Sequence, residues 1–99
     1  MYVYIMRRES GGPCKIGISH DLRTRRNVIS NRVDEVCDIL FLLLATNARA
    51  IERAAHLELA AFDLGNEWFD VTEQKAIRTI VQIATSEKEI SEMTAFGFF

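Results

Sequence analysis

Two groups of residues in this chain have chemistry to offer. In "AIERAAHLELAAF" Glu52 and His56 stand four positions apart, so on a helix they project from one face. A carboxylate and an imidazole so placed can bind a divalent metal or share a proton. A plain surface pair, beside Arg53 and Glu58, is the competing reading. The second group follows the stretch "CKIGIS", in which a strand-like run carries Lys15 and Gly17 and leads through His20 and Asp21 into Arg23, Arg25 and Arg26. These arginines fall in the first turns of a helix, where the positive end of the dipole disfavours them, so something other than helix stability placed them there. His20 beside them is read as a helix-start side chain, with contact to a phosphate as the alternative.

Elements to position these residues can be read on both sides. "YVYIM" from Tyr2 is β-branched and aromatic, "ESGGP" is turn chemistry ending at Pro13, and "CKIGIS" is the returning strand of a hairpin. Residues 21 to about 31 have helical character, with Leu22, Val28 and Ile29 directed at a core. "EVCDILFLLLATN" is a third strand, apolar enough to be central. Asn47 is the expected cap of the Ala/Leu-rich helix, which "DLG" ends with Gly65 in the stop position. "EWFDV" is a short extended segment. Thr72 then caps a helix whose apolar stripe runs through Ala76, Ile77, Ile80, Val81 and Ile83 or Ala84. Ser86 and Glu89 have capping-box spacing.

The expected fold is therefore α+β: a small three-stranded, mainly antiparallel sheet flanked by helices, in one domain over 1–99, with 86–99 as a docking tail. Phe96, Phe98 and Phe99 in that tail fold back on the core or cover a partner, self-association included. With 99 residues, 48% hydrophobic and 26% charged, the chain is too short for a multidomain enzyme. "ILFLLLA" is much shorter than a membrane span. A basic region followed by an apolar signal core is not seen at the N-terminus, so the expected compartment is the cytoplasm. Cys14 and Cys37 lack CxxC spacing and are expected to be reduced core thiols.

The net charge of −2 conceals an asymmetry. Through Arg32 there are seven basic residues and two acids, a balance of +5; the remainder has five basic residues and twelve acids, a balance of −7. A protein that touches a phosphate backbone with one face would have such a distribution, as would a solvated helix face.

Taken in order, "YVY", "KIG" at Lys15–Gly17, the arginine-rich helix, "ERAAH" at Glu52–His56 and "EWF" at Glu67–Phe69 resemble the GIY-YIG nuclease family. The resemblance runs from Tyr2 through Val71 and is closest to a compact, phage-associated branch. It implies a metal-dependent endonuclease that hydrolyses phosphodiester bonds in DNA, with RNA as a further substrate class. It further implies that Tyr4 helps to activate water, Lys15 stands where the family has its second tyrosine, Arg25 steadies the phosphate, and Glu52 holds one magnesium or manganese ion. His56 is then a ligand or proton shuttle one turn away, with Arg23, Arg26 and His20 as nucleic-acid contacts. One glutamate and one histidine are too few for a closed zinc site, whereas magnesium keeps waters and uses substrate oxygens. Glu67 is either a supporting acid or a surface carboxylate, and Trp68 and Phe69 are read as core and edge-strand packing, with a base-stacking platform as the alternative.

Two positions depart from the family pattern: Tyr2 replaces a glycine and Lys15 a tyrosine. They motivate an alternative, a catalytically weak or inactive module on the same fold that binds nucleic acid or a protein.

Overall fold

The computed structural model describes residues 1–87. Five strands and three α-helices follow one another as β1 (Tyr2–Arg8), β2 (Cys14–Ser19), α1 (Leu22–Val33), β3 (Cys37–Leu44), α2 (Ala48–Glu58), β4 (Asp63–Gly65), β5 (Trp68–Phe69) and α3 (Glu73–Ser86). The class is α+β, and all pairings are antiparallel, in the order β3-β1-β2-β5-β4. The expected sheet of three strands is extended by a small hairpin along the outer edge of β2. "DLG" is thus a strand and not the end of a helix. The helix before it stops at Glu58 and tightens into a single 3₁₀ turn over Ala60–Phe62. The pairing of Ser86 with Glu89 and the phenylalanine tail involve residues outside those described.

The first hairpin closes as the turn chemistry requires, with Gly11 and Gly12 at φ of 100° and 91°. In β1, alternate residues face opposite sides of the sheet. Val3 and Ile5 join Ile16, Leu43, Ile51, Phe69 and Ile80 in a core covered by α2 and α3. Tyr4 and Met6 join Ile29, Cys37 and Leu42 beneath α1. Both faces of β3 are therefore buried, which is why its sequence from Ile39 to Leu44 is an unbroken apolar run. A bulge at Leu40, between the pairs Ile5–Phe41 and Met6–Ile39, turns Leu40 and Phe41 toward the same core. Both cysteines are free and buried, and burial raises both thiol pKa values.

Helix ends follow local chemistry. Asp21 caps α1, accepting from the Thr24 N–H at 3.1 Å and the Thr24 hydroxyl at 2.9 Å. Thr72 caps α3, accepting from the Lys75 N–H at 3.1 Å. Asn47 occupies the cap position of α2 without a capping bond from its side chain. Ile29 alone among the three expected core residues of α1 is fully buried; Leu22 packs partly, and Val28 is 37% exposed. The cause is geometric, since Val28 adjoins Ile29 and lies about 100° round the helix from it. Among the described residues no helix is long and apolar enough to cross a membrane.

Gly17 is required by close approach. A Cβ built there would lie 2.6 Å from Tyr4 Cζ, because Tyr4 and Gly17 are directly paired and the ring lies across the glycine. Gly17→Ala should therefore cost about 1–3 kcal/mol through overpacking, read as a lower urea midpoint. The Asp21 carboxyl is held below its usual range by its bonds to Thr24. A folded-state pKa below the unfolded one adds stability above the ordinary carboxylate range and loses it as pH falls. Between pH 7 and about pH 3 the urea midpoint should fall further in the wild type than in Asp21→Asn, which keeps the acceptor but does not titrate.

Candidate functional site

Helix α2 lies on the opposite face of the sheet from α1, yet their polar side chains meet at the edge of β2. Strand β5 pairs with β2 only at Cys14 and Lys15. Beyond these, the Ile16 N–H donates to the Glu67 carbonyl at 3.1 Å, and the Ile16 carbonyl lies 2.9 Å from His56 Nε2. A carbonyl only accepts, so Nε2 carries the proton and a neutral ring keeps its lone pair on Nδ1. The Phe69 ring, 5.0 Å from the imidazole, supports it from below.

Asn66 and Glu67 form the two-residue turn between β4 and β5, with φ of 54° and 70°. Two successive left-handed residues are what a type I′ hairpin needs. Asparagine adopts that conformation readily, whereas glutamate does so at a cost of roughly 1–2 kcal/mol. The strained residue points into the site. Donor atoms of Glu52, His56 and Glu67 all lie within 4.8 Å of one another.

Burial, then the adjacent Glu67 carboxylate, raises the Glu52 pKa, while His56 and Arg49 oppose the shift. Two carboxyls so close can share one proton or be neutralised by a cation. Two carboxylates and an imidazole, all partly exposed, suit an oxygen-preferring divalent ion such as magnesium or manganese. They form an open set without thiolates, unlike structural zinc.

A cleft of about 330 Å³ opens onto Glu52 and Glu67, with His20, Arg25 and Arg49 in its wall. Arg25 thus reaches the same cleft as Glu52 from the other helix. Tyr4 is 1% exposed and lies below this cleft against Gly17. Its pKa is raised well above the ordinary value, chiefly by burial and then by Glu67, with Arg25 opposing, so at neutral pH it is a phenol. Lys15 does not line this cleft. It is 5% exposed, donates to the Asn66 carbonyl and lies 3.7 Å from the Glu67 carboxylate. Burial lowers its pKa, and Glu67 acts in the opposite direction. Lys15 therefore braces the turn that carries Glu67.

The remaining arginines of α1 separate. Arg23 is exposed. Arg26 is turned toward β3, where Nε donates to the Cys37 carbonyl at 2.7 Å and the guanidinium lies 3.9 Å from Asp38. Its part in the fold is to tie α1 to the sheet. Glu67, expected as either a supporting acid or a surface carboxylate, and Arg49, not anticipated, both line the cleft. "EWF" did signal the former, and its three residues divide the work: Glu67 enters the cleft, Trp68 lies on the α1 side, and Phe69 supports His56 from the other. Nothing in the local sequence marked Arg49, whose relevance comes from being one turn before Glu52.

No curated protein and no solved structure matches the chain. A family model, that of the T5orf172 domain, matches residues 1–84. With nearly all of the described fold covered by that match, including both helices and the turn that form the cleft, the chain belongs to the T5orf172 domain family, a phage-associated domain related to GIY-YIG and HNH-like nucleases.

Proposed function

We propose that the protein is a divalent-metal-dependent endonuclease hydrolysing phosphodiester bonds, DNA first and RNA as a further substrate class. The observation that carries this reading is the convergence of Glu52, Glu67 and His56 within 4.8 Å, the two carboxylates lining a cleft that also holds Arg25 and Arg49. Such a reaction adds water to phosphorus, breaks the bond to a sugar oxygen, and needs charge neutralisation, a proton acceptor and a proton donor.

Glu52 and Glu67 would hold one magnesium or manganese ion, with His56 beside them. When bound, the ion neutralises phosphate charge and acts as a Lewis acid. Arg25 and Arg49 grip the phosphate oxygens from the cleft wall. Tyr4, protonated at neutral pH, orients the attacking water by hydrogen bonding and does not act as a phenolate base. The lone pair on His56 Nδ1 takes up the water's proton, while the bond from Nε2 to Ile16 keeps the ring in one orientation. Lys15 acts at one remove by fixing Glu67. His20 in the cleft wall and Arg23 on the exposed face of α1 offer further hydrogen-bond donors to the strand.

A second reading has one observation in its favour. Lys15 stands in place of the family's second tyrosine and is engaged by the hairpin turn, so the fold can serve as a nucleic-acid-binding module with weak or no cleavage. Plasmid nicking distinguishes the two. With magnesium or manganese the wild type should nick plasmid, chelator should stop it, and Glu52→Gln should reduce the rate by at least about 100-fold, as loss of a group that stabilises transition-state charge does. Salt-sensitive binding without nicking would leave only the module.

Neutralising one carboxylate separates folding from function. Glu67→Gln removes the repulsion against Glu52 but also the ion pair with the buried Lys15, so the metal-free variant should melt within a few degrees of the wild type, about 1 kcal/mol being worth roughly 4–8 °C in a domain of this size. Manganese should raise the melting temperature of the wild type and not of this variant. An equal manganese shift in both would remove Glu67 from the metal site.

A further inference from the structure

A second cavity, about 570 Å³, lies on the α1 side of the sheet and has no place in the chemistry above. Its floor is Lys15 and Trp68, paired across β2 and β5. One wall is the last turn of α1 with Ile29 and Arg32, and the other is the β4–β5 turn. Arg8 closes the end, with its guanidinium 4.9 Å from the centre of the Trp68 ring; the Lys15 ammonium is 5.3 Å from it. Three cations line the cavity and no acid does. Among the described residues neither Arg8 nor Arg32 is in an ion pair. The volume is that of a small-ligand site. Positive charge around an indole suits a chain that alternates phosphates with flat, apolar-faced bases.

The cavity adjoins the metal cleft. Glu67 lines one and Lys15 the other, and these two side chains are 3.7 Å apart. A strand whose phosphate is held at Glu52 and Arg25 would continue past the β4–β5 turn into this groove.

We infer that the Arg8–Arg32–Trp68 groove is a binding subsite for single-stranded nucleic acid, taking the nucleotides next to the phosphate under attack, with phosphates on Arg8 and Arg32 and a base or sugar against Trp68. The inference rests on the nuclease reading for its placement, but the groove can be tested apart from catalysis. A cavity of about 570 Å³ has the volume of a small-ligand site and not of a duplex, so a strand enters it frayed or already single.

Trp68 is the only tryptophan in the chain, so its fluorescence reports on this groove directly. The full chain in EDTA is titrated with octathymidylate, following Trp68 emission with unlabelled strand and anisotropy with end-labelled strand. Both signals should give the same dissociation constant. Arg8→Gln and Arg32→Gln should each lower the slope of log affinity against log salt by about 0.7, the value for one phosphate contact on a single strand. Arg78→Gln, on the exposed side of α3, should leave it unchanged.

Binding seen by anisotropy with unchanged Trp68 emission would overturn the subsite, as would absence of binding or unchanged slopes in both arginine variants. An equal emission change with inorganic phosphate alone at the same concentrations would reduce the groove to an anion site and overturn it too. Metal-dependent nicking that is lost in Glu52→Gln would survive any of these results, and a responsive groove in a protein that never nicks would stand while the nuclease reading fell.

Discussion

Ile16 has one N–H and one C=O on the outer edge of β2, just past the point where β5 stops pairing. Edge groups of this kind must find partners or remain open to solvent and other chains. Here the N–H goes to the carbonyl of Glu67 and the C=O to His56. Through these bonds one residue holds the β4–β5 turn and the middle of α2 against the same piece of backbone. Glu52, four residues before His56, and the Glu67 side chain are consequently brought together. The next residue, Gly17, has no side chain, and the Tyr4 ring fills the space. The cleft is thus a product of an unfinished sheet edge.

The electrostatics of this edge oppose folding locally. Two carboxylates face each other, one on a left-handed backbone, and burial adds to the difficulty of ionising Glu52. Lys15 beneath Glu67, with Arg25 and Arg49 nearby, partly offsets the repulsion. Strain and like charge in one small region are common where a site is kept ready for a ligand of opposite charge. A cation between the carboxylates would relieve that repulsion.

Division of the sheet into two covered faces explains how helices on opposite sides serve one cleft. α1 packs over Tyr4 and Met6, α2 and α3 over Val3, Ile5 and Ile16, and the polar ends reach round the same edge. Arg25 comes from one side and Glu52 from the other. Four of the seven basic residues of the N-terminal third are divided between two places. Arg25 lies at the cleft, and Arg8, Lys15 and Arg32 lie in the groove beside Trp68.

Local chemistry alone determined much of this protein. Period-two runs and the "ESGGP" turn specify the first hairpin, Asp21 and Thr72 specify helix starts, and helical spacing puts Glu52 beside His56. These are interactions among residues a few positions apart, so their outcome is written in the order of residue types. Tertiary structure decided the rest. Strands of three and two residues are too short to show a period, so "EWFDV" showed only an extended segment and Gly65 looked like a helix stop; β5 forms by pairing with the edge of β2, and β4 by pairing with β5. Arg23, Arg25 and Arg26 are equivalent as a string; their directions round α1 send one to solvent, one to the cleft and one to the Cys37 carbonyl. Glu67 became a partner of Glu52 through the hydrogen bonds of Ile16, residues far apart in sequence, and no local pattern encodes a contact that depends on where a sheet ends.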